Sequence, residues 1–595
     1  MRDTLQAIRE LARLCWTTDR RKLVVALLLM LAEAAAAPVT ALVLGSLTEA
    51  VSEAHASEVL QLGLLVSLLV IVGLTGNHFA HVLYFELGAQ AFLSLDRELI
   101  DLSNGSAGIA HHENAEYSDR ITVLHQELNR ISSNSMVALW HSISLAIGVV
   151  CTTALLVDTN PWLLFLPFAV FPPVLLGRQA ERIISSCRHR MAHHTRAAQH
   201  IIDLARGVSS AKELRVLGLR SMLQSRHAES WREITRGLWL AELRATVLRV
   251  AGQLIFAVAY IAGTLLVVRA AVQDEASVGD VVLVIVLAAQ VNQQATTGVT
   301  LLREFQRLAE TLADLRWIRA LVGQRPSSCS TIEAPSRLID GFRLRDVSFH
   351  YEGSDVPVLR DVNLHLPAGA MVGIVGENGA GKSTLVKLLC RFYAPSTGVI
   401  EVDGTDIHRL DVLEWHSAIS VGFQDFSRFE LTAGRTVGVG DLPRLDDRRA
   451  VEEALDRTRA SDIVDQLPDG LGTRLGRSFS DGTELSGGQW QKMALGRTMM
   501  RRHPVLLILD EPTSALDAQA EYQLFRQYAE SARTVAERAG AVTVLVSHRF
   551  STVRMADLII VLSGNTVAES GTHAALIAAD GVYASLYRLQ ADQYD

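Results

Sequence analysis

The chain has 595 residues, 49% of them hydrophobic and 20% charged, with a formal net charge of −8. That length exceeds one ordinary domain, and the modest negative charge argues against nucleic-acid binding, which needs a concentrated positive field. Five scattered cysteines, Cys15, Cys151, Cys187, Cys329 and Cys390, show no metal-ligand spacing and argue against structural disulfides.

At the start of the chain, Leu5, Ile8, Leu11, Ala12 and Cys15 recur at helical spacing among Arg and Glu, which predicts a helix lying in a membrane interface. Six apolar runs follow: Leu23–Leu47, Leu62–Phe85, Met136–Val157, Pro161–Gly177, Val250–Val268 and Val281–Thr300. Each is near the ~20 residues that a helix needs to cross a hydrocarbon core. Only the first holds an Asp, Glu, Lys or Arg, namely Glu33. The pattern predicts an all-α transmembrane domain of six spans over residues 1–320. No cleavable signal pattern is expected, because the first run follows a basic stretch and is too long for the apolar part of one.

The segments between the runs set the orientation. Residues 48–60, 158–160 and 269–280 hold one basic residue, Arg269, whereas residues 1–22, 86–135 and 178–249 hold 23. The positive-inside rule places the basic segments, and with them both termini, in the cytoplasm of a multi-pass cell (plasma or inner) membrane protein. The two long basic segments have 50 and 72 residues and are largely free of proline, so each is expected to form a pair of antiparallel helices extending the spans. Their tips fall near His111–Arg120 and Ser209–Leu217.

Polar groups inside the runs are candidates for cargo contact. Glu33 lies mid-span, where a charge costs on the order of 2.5–3.5 kcal/mol. Asn77, His78 and His81 lie on the second run, Gln253 on the fifth, and Gln290, Asn292, Gln293 and Gln294 on the sixth. Interhelical hydrogen bonding is the competing explanation for them.

A polar linker is expected at 321–337, and 338–595 forms a second domain. Its apolar strands Met371–Val375, Val505–Leu509 and Val542–Val546 predict an α/β P-loop fold. Gly376-Glu377-Asn378-Gly379-Ala380-Gly381-Lys382-Ser383-Thr384 matches the phosphate-binding pattern G-x-x-x-x-G-K-[ST]. Its glycines let backbone N–H groups face phosphate oxygens at a helix N-terminus. Lys382 reaches the β- and γ-phosphates of ATP, and the Ser383 hydroxyl can sit on Mg²⁺. Asp510, closing an apolar strand, is placed to hold that metal through water, and Glu511 to polarise the attacking water.

Gln424, Leu485-Ser486-Gly487-Gly488-Gln489, Asp510-Glu511, Ser514-Ala-Leu-Asp517 and His548 follow the P-loop in that order. The set resembles the ATP-binding cassette family, and the Leu-Ser-Gly-Gly-Gln segment separates that family from other P-loop ATPases. The resemblance covers essentially the whole chain and implies an exporter-type half-transporter. It gives Gln424 contact with Mg²⁺ and the γ-phosphate, and His548 contact with the γ-phosphate and the water. Tyr351, beside His350, is the implied adenine-stacking aromatic. Ser486–Gln489 would close over ATP held by another chain, and Asp517 is a further implied nucleotide-binding residue. With one P-loop and one such segment, two chains are needed. One departure stands out: Thr473–Gly482 carries Arg477 where exporters of this type often have a glutamate.

The sequence therefore predicts an ATP-driven transporter of a hydrophobic, amphipathic or peptide-like compound, such as a small molecule, lipid or peptide, working in a lipid bilayer. A homodimer is favoured by the complete motif set, and a heterodimer with another half-transporter remains open. So does import on an exporter-like fold, iron-chelate uptake being one example.

Overall fold

In a computed structural model, residues 2–105, 108–130, 134–207, 210–273, 275–323, 332–354, 356–511, 533, 538–547 and 549–591 are described. They separate into two compact units, Met1–Asp101 with Asp119–Arg319, and Leu102–Ser118 with Ala320–Asp595.

The first unit is entirely helical. Helix α1 (Arg2–Thr18) is the amphipathic segment, with Ala7, Leu11 and Cys15 buried. The six apolar runs lie within α2 (Arg20–Ser52), α3 (Ala56–Asn104), α5 (Met136–Thr159), the stretch from Pro161 through α6 (Phe165–Phe168) into α7 (Phe171–Arg206), α9 (Arg220–Val272) and α10 (Val278–Gly323). Asp19 caps α2 by accepting from Arg21 and Lys22 backbone N–H groups, which fixes where the first span begins. All six helices are long and apolar enough to cross a membrane. At 1.5 Å per residue, the 53 residues of α9 reach about 80 Å, far beyond a ~30 Å core. The long basic segments are helical, the first in the end of α3 and α4 (Ala115–Arg130), the second in α7 and α9, which pack together and are joined through the short α8 (Ala211–Val216). Helices α2 and α10 meet backbone to backbone: a Cβ on Gly279 would stand 2.5 Å from the Gly45 carbonyl oxygen. Small residues permit that approach, which maximises dispersion contact where no hydrophobic effect drives helices together.

The second unit contains two sheets. Strands β1 (Gly341–Phe349), β2 (Leu359–Pro367), β4 (Thr397–Val402) and β5 (Thr405–Asp406) form an antiparallel sheet in the order β2-β1-β4-β5. The other runs β10-β9-β3-β8-β7-β6, from β3 (Met371–Gly376), β6 (Ile419–Gly422), β7 (Leu506–Asp510), β8 (Val542–Val546), β9 (Leu558–Ser563) and β10 (Thr566–Gly571). All its pairs are parallel except β9–β10. β7 and β8 are buried at every position, as a parallel sheet covered on both faces requires, and this is why they read as continuous apolar runs. Helix α11 (Lys382–Leu389) follows β3, backed by Trp415 of α12 (Val412–Ala418), which is fully buried and donates its indole N–H to Leu389 O at 3.2 Å.

Candidate functional site

A parallel sheet brings the C-terminal ends of its strands to one edge, where ligands of open α/β folds bind. The register aligns them here: Ile374 and Asp510 both pair with Val546, and Gly422 pairs with Leu509. Past those ends lie the P-loop, Asp510-Glu511 and Gln424, three segments far apart in sequence.

The P-loop turns through left-handed backbone that side chains resist. Gly381 has φ +95°, and a Cβ there would meet Leu359 Cδ2 at 2.7 Å and Val358 O at 2.9 Å. Gly376 has φ +155° against the Leu562 carbonyl. The loop delivers the chain into α11 with Lys382 buried, and its Nζ donates to the Gly376 and Glu377 carbonyls at 2.8 and 2.9 Å. Burial lowers the Lys382 pKa, opposed by the charges of Glu511 and Asp510. Asp510 is 5% exposed. Burial pushes its carboxyl up to about 6, with Glu511 and Asp425 adding to the rise and Lys382 and a hydrogen bond with Ser383 opposing it. Ser383 itself is exposed. A buried acid destabilised by two neighbouring carboxylates is an environment that a divalent cation relieves, so this donor set fits Mg²⁺.

Glu511 takes φ +45°, ending the strand, while its N–H still donates to Val546 O at 2.9 Å. Its Oε2 accepts from Gln424 Nε2 at 2.7 Å. Tyr351 is half-buried, edge-on to Phe349 and Tyr393, with its hydroxyl 3.1 Å from Thr384 Oγ1.

Ser486 caps α13 (Gly487–Thr498). Its Oγ accepts from the Gln489 N–H, while the Gln489 side chain accepts from the Ser486 N–H. This reciprocal box holds the helix N-terminus rigidly. Ser486 and Gly487 are exposed, and a Cβ on Gly487 would project into open space. Gly488 lies in the first turn, half-buried.

Residues 359–514 match the ABC transporter family model. The chain is 39% identical to an ATP-dependent lipid A-core flippase of Ralstonia nicotianae over 250 residues, 42% of this chain and 40% of that one. It is 34% identical to the flippase of Vibrio vulnificus over 299 residues, 50% of this chain and 48% of that one. The matches thus span less than half the length of these curated relatives. A solved structure of a bacterial Atm1-family ABC exporter with ATP bound superposes with a TM-score of 0.79 at 24% identity, over 96% of this chain and 98% of that one. Residues 359–514 thus carry an ABC transporter domain. The fold of the chain is that of an exporter-type half-transporter, six apolar helices followed by an α/β nucleotide domain.

The structure brings together Lys382, Ser383, Asp510, Glu511 and Gln424, with Tyr351 reaching Thr384. Asp517, with Ser514–Asp517 as a whole, and His548 lie outside the described residues. In the departing segment, Arg477 forms an ion pair with Glu484 at 3.3 Å, next to Leu485. The sequence did not single out Asp425, which adds to the negative field at Asp510. Nor did it single out the contact of Glu113 with Lys387 of α11 (2.6 Å) and with Tyr393. Glu113 lies in an expected tip, but nothing local names its partners.

Proposed function

We propose that the chain is an ATP-driven exporter of an amphipathic, hydrophobic or peptide-like compound, working as a homodimer with two shared ATP sites. The observation that carries this is the gathering of Lys382, Ser383, Asp510, Glu511 and Gln424 at one sheet edge, in a chain that also has six helices long and apolar enough to cross a membrane. The relatives' names, lipid A-core flippases and an Atm1-family exporter, agree with export and with an amphipathic cargo. Residues 1–320 serve as the membrane domain, 321–337 as linker and 338–595 as the nucleotide domain, with both termini in the cytoplasm.

Residues 376–384 cradle the phosphates. Lys382, now on two neutral carbonyls, turns to phosphate oxygens, which accept from an ammonium more strongly. Ser383 and Asp510, with Gln424, would hold Mg²⁺, which when bound neutralises phosphate charge. Glu511 orients and polarises the attacking water, and the Gln424 amide now held at its carboxylate must release or share it. His548 supports the water, and Tyr351 leaves Thr384 to stack on adenine. Ser486–Gln489 and Asp517 of one chain complete the site on the other, since an exposed capped helix N-terminus offers N–H groups to an anion. Closure of the two nucleotide domains would turn the membrane cavity outward.

Lys382→Ala is expected to abolish ATP binding and hydrolysis together. Glu511→Gln is expected to bind ATP while turnover falls about 10²- to 10⁴-fold, the usual worth of a positioned general base. Turnover retained in either variant, measured on the full chain in nanodiscs, contradicts the assignment.

A further inference from the structure

We propose that Glu33 of α2 and Gln290 of α10 form a recognition site, inside the membrane-spanning helices, for the primary ammonium group of an amphipathic amine. The inference rests on the transport function proposed above. Glu33 is the one Asp, Glu, Lys or Arg in the six apolar runs. It lies 11 residues past Lys22, about 16 Å along α2, and the ion pair of Lys22 with Glu86 marks the polar end of that span. Its Oε2 is buried and has no hydrogen-bond partner among the described residues. Gln290 donates from Nε2 to the Ala37 carbonyl at 3.0 Å, and its Oε1 is likewise buried without a partner.

Ala37 follows Glu33 by one helical turn, so Glu33 and the carbonyl that Gln290 engages lie on the same face of α2. On α5, His141 lies within electrostatic reach of Glu33, and the adjacent Trp140 is 3% exposed, its indole N–H without a hydrogen-bond partner among the described residues. On the α3 side the wall is close, because a Cβ on Gly76 would come within 3.9 Å of Glu33 Cβ. Buried polar atoms are normally paired, and an ionisable group at membrane depth marks a ligand or ion path. A group filling two acceptors beside a carboxylate needs a positive charge and at least two N–H donors. A primary ammonium, with three, has both. A phosphate or carboxylate head would meet two bare acceptors and, in the six runs, no Lys or Arg.

The test uses the full chain in lipid nanodiscs and three fluorescent probes: monodansylcadaverine, its neutral N-acetyl derivative, and its trimethylammonium derivative, which keeps the charge and lacks N–H donors. The wild-type chain is expected to bind the primary amine about ten- to a hundredfold more tightly than the N-acetyl probe, the range of hydrogen bonds to a charged group. The trimethylammonium probe falls between them. Glu33→Gln removes the preference for charge, and Gln290→Leu narrows the gap between the two cations. Binding of a fluorescent ATP analogue reports that each variant is folded, and the wild-type comparison depends on no variant. Equal binding of amine and N-acetyl probe to the wild type, or wild-type amine affinity in folded Glu33→Gln, overturns the site. Absence of Mg·ATP hydrolysis by the wild type is a separate result that counts against the transport reading itself.

Discussion

Gly381→Ala tests whether the P-loop backbone holds phosphate in the shape seen here. An L-residue forced to φ +95° costs about 1–2 kcal/mol. The new Cβ also enters contacts of 2.7 Å with Leu359 Cδ2 and 2.9 Å with the Val358 carbonyl, and overpacking of that kind adds about 1–3 kcal/mol. The sum is about 2–5 kcal/mol against the binding-competent loop, which weakens nucleotide affinity roughly 30- to several-thousand-fold. Gly379→Ala is the matched control. It has φ +82° but open space around its Cβ, so only the backbone cost applies, and the loss is about 5- to 30-fold. Titration of the full-length variants with a fluorescent ATP analogue, alongside thermal unfolding, measures both. Wild-type affinity in Gly381→Ala, or a larger loss in Gly379→Ala, would refute the reasoning.

Three other outcomes are expected. Trp415→Ala removes a fully buried side chain behind α11 and should destabilise the nucleotide domain by about 3–5 kcal/mol in chemical denaturation, and a loss under about 1 kcal/mol contradicts its place in the core. Gly279→Leu drives a side chain into the Gly45 carbonyl and should prevent α2 and α10 from meeting, so a wild-type yield and melting point would count against that crossing. Burial alone would raise Glu113, but hydrogen bonds from Lys387 and Tyr393 and the Lys387 charge bring it below its ordinary 4.5. Lys387, although burial opposes its charge, is raised above 10.5 by Glu113 and Tyr351. The Glu113 contribution is therefore present above pH 4.5 and lost as pH falls through its lowered value. That of Lys387 is present below pH 10.5 and lost as pH rises through its raised value. The melting-point loss in Glu113→Gln should stay constant between those limits, and a loss that fades within them contradicts the ion pair.

How much was legible in the sequence depends on how local the chemistry is. Phosphate binding requires consecutive backbone groups with a lysine and a hydroxyl at fixed offsets, so residues 376–384 announce themselves. β7 and β8 do too, because a strand buried on both faces has no polar alternation. The antiparallel sheet of β1, β2, β4 and β5 is less visible: β2 alternates exposed and buried positions from Asp361 to Pro367, with Asp361, Asn363 and His365 on its polar face. The contacts that organise the site are long-range. Gln424 meets Glu511 across 87 residues and Glu113 meets Lys387 across 274, and neither spacing carries a period or a motif. The Gly45–Gly279 approach is equally silent, since a glycine in an apolar run looks the same whether it faces lipid or another backbone.

The central claim, that two copies of this chain complete each other's ATP sites, is tested most directly by Mg²⁺-dependent ATPase activity of the chain purified alone into nanodiscs sorted by the number of chains they hold. Discs with two chains should hydrolyse ATP, those with one should not, and Glu511→Gln should silence the two-chain discs. Equal turnover per chain in one-chain discs would contradict the account.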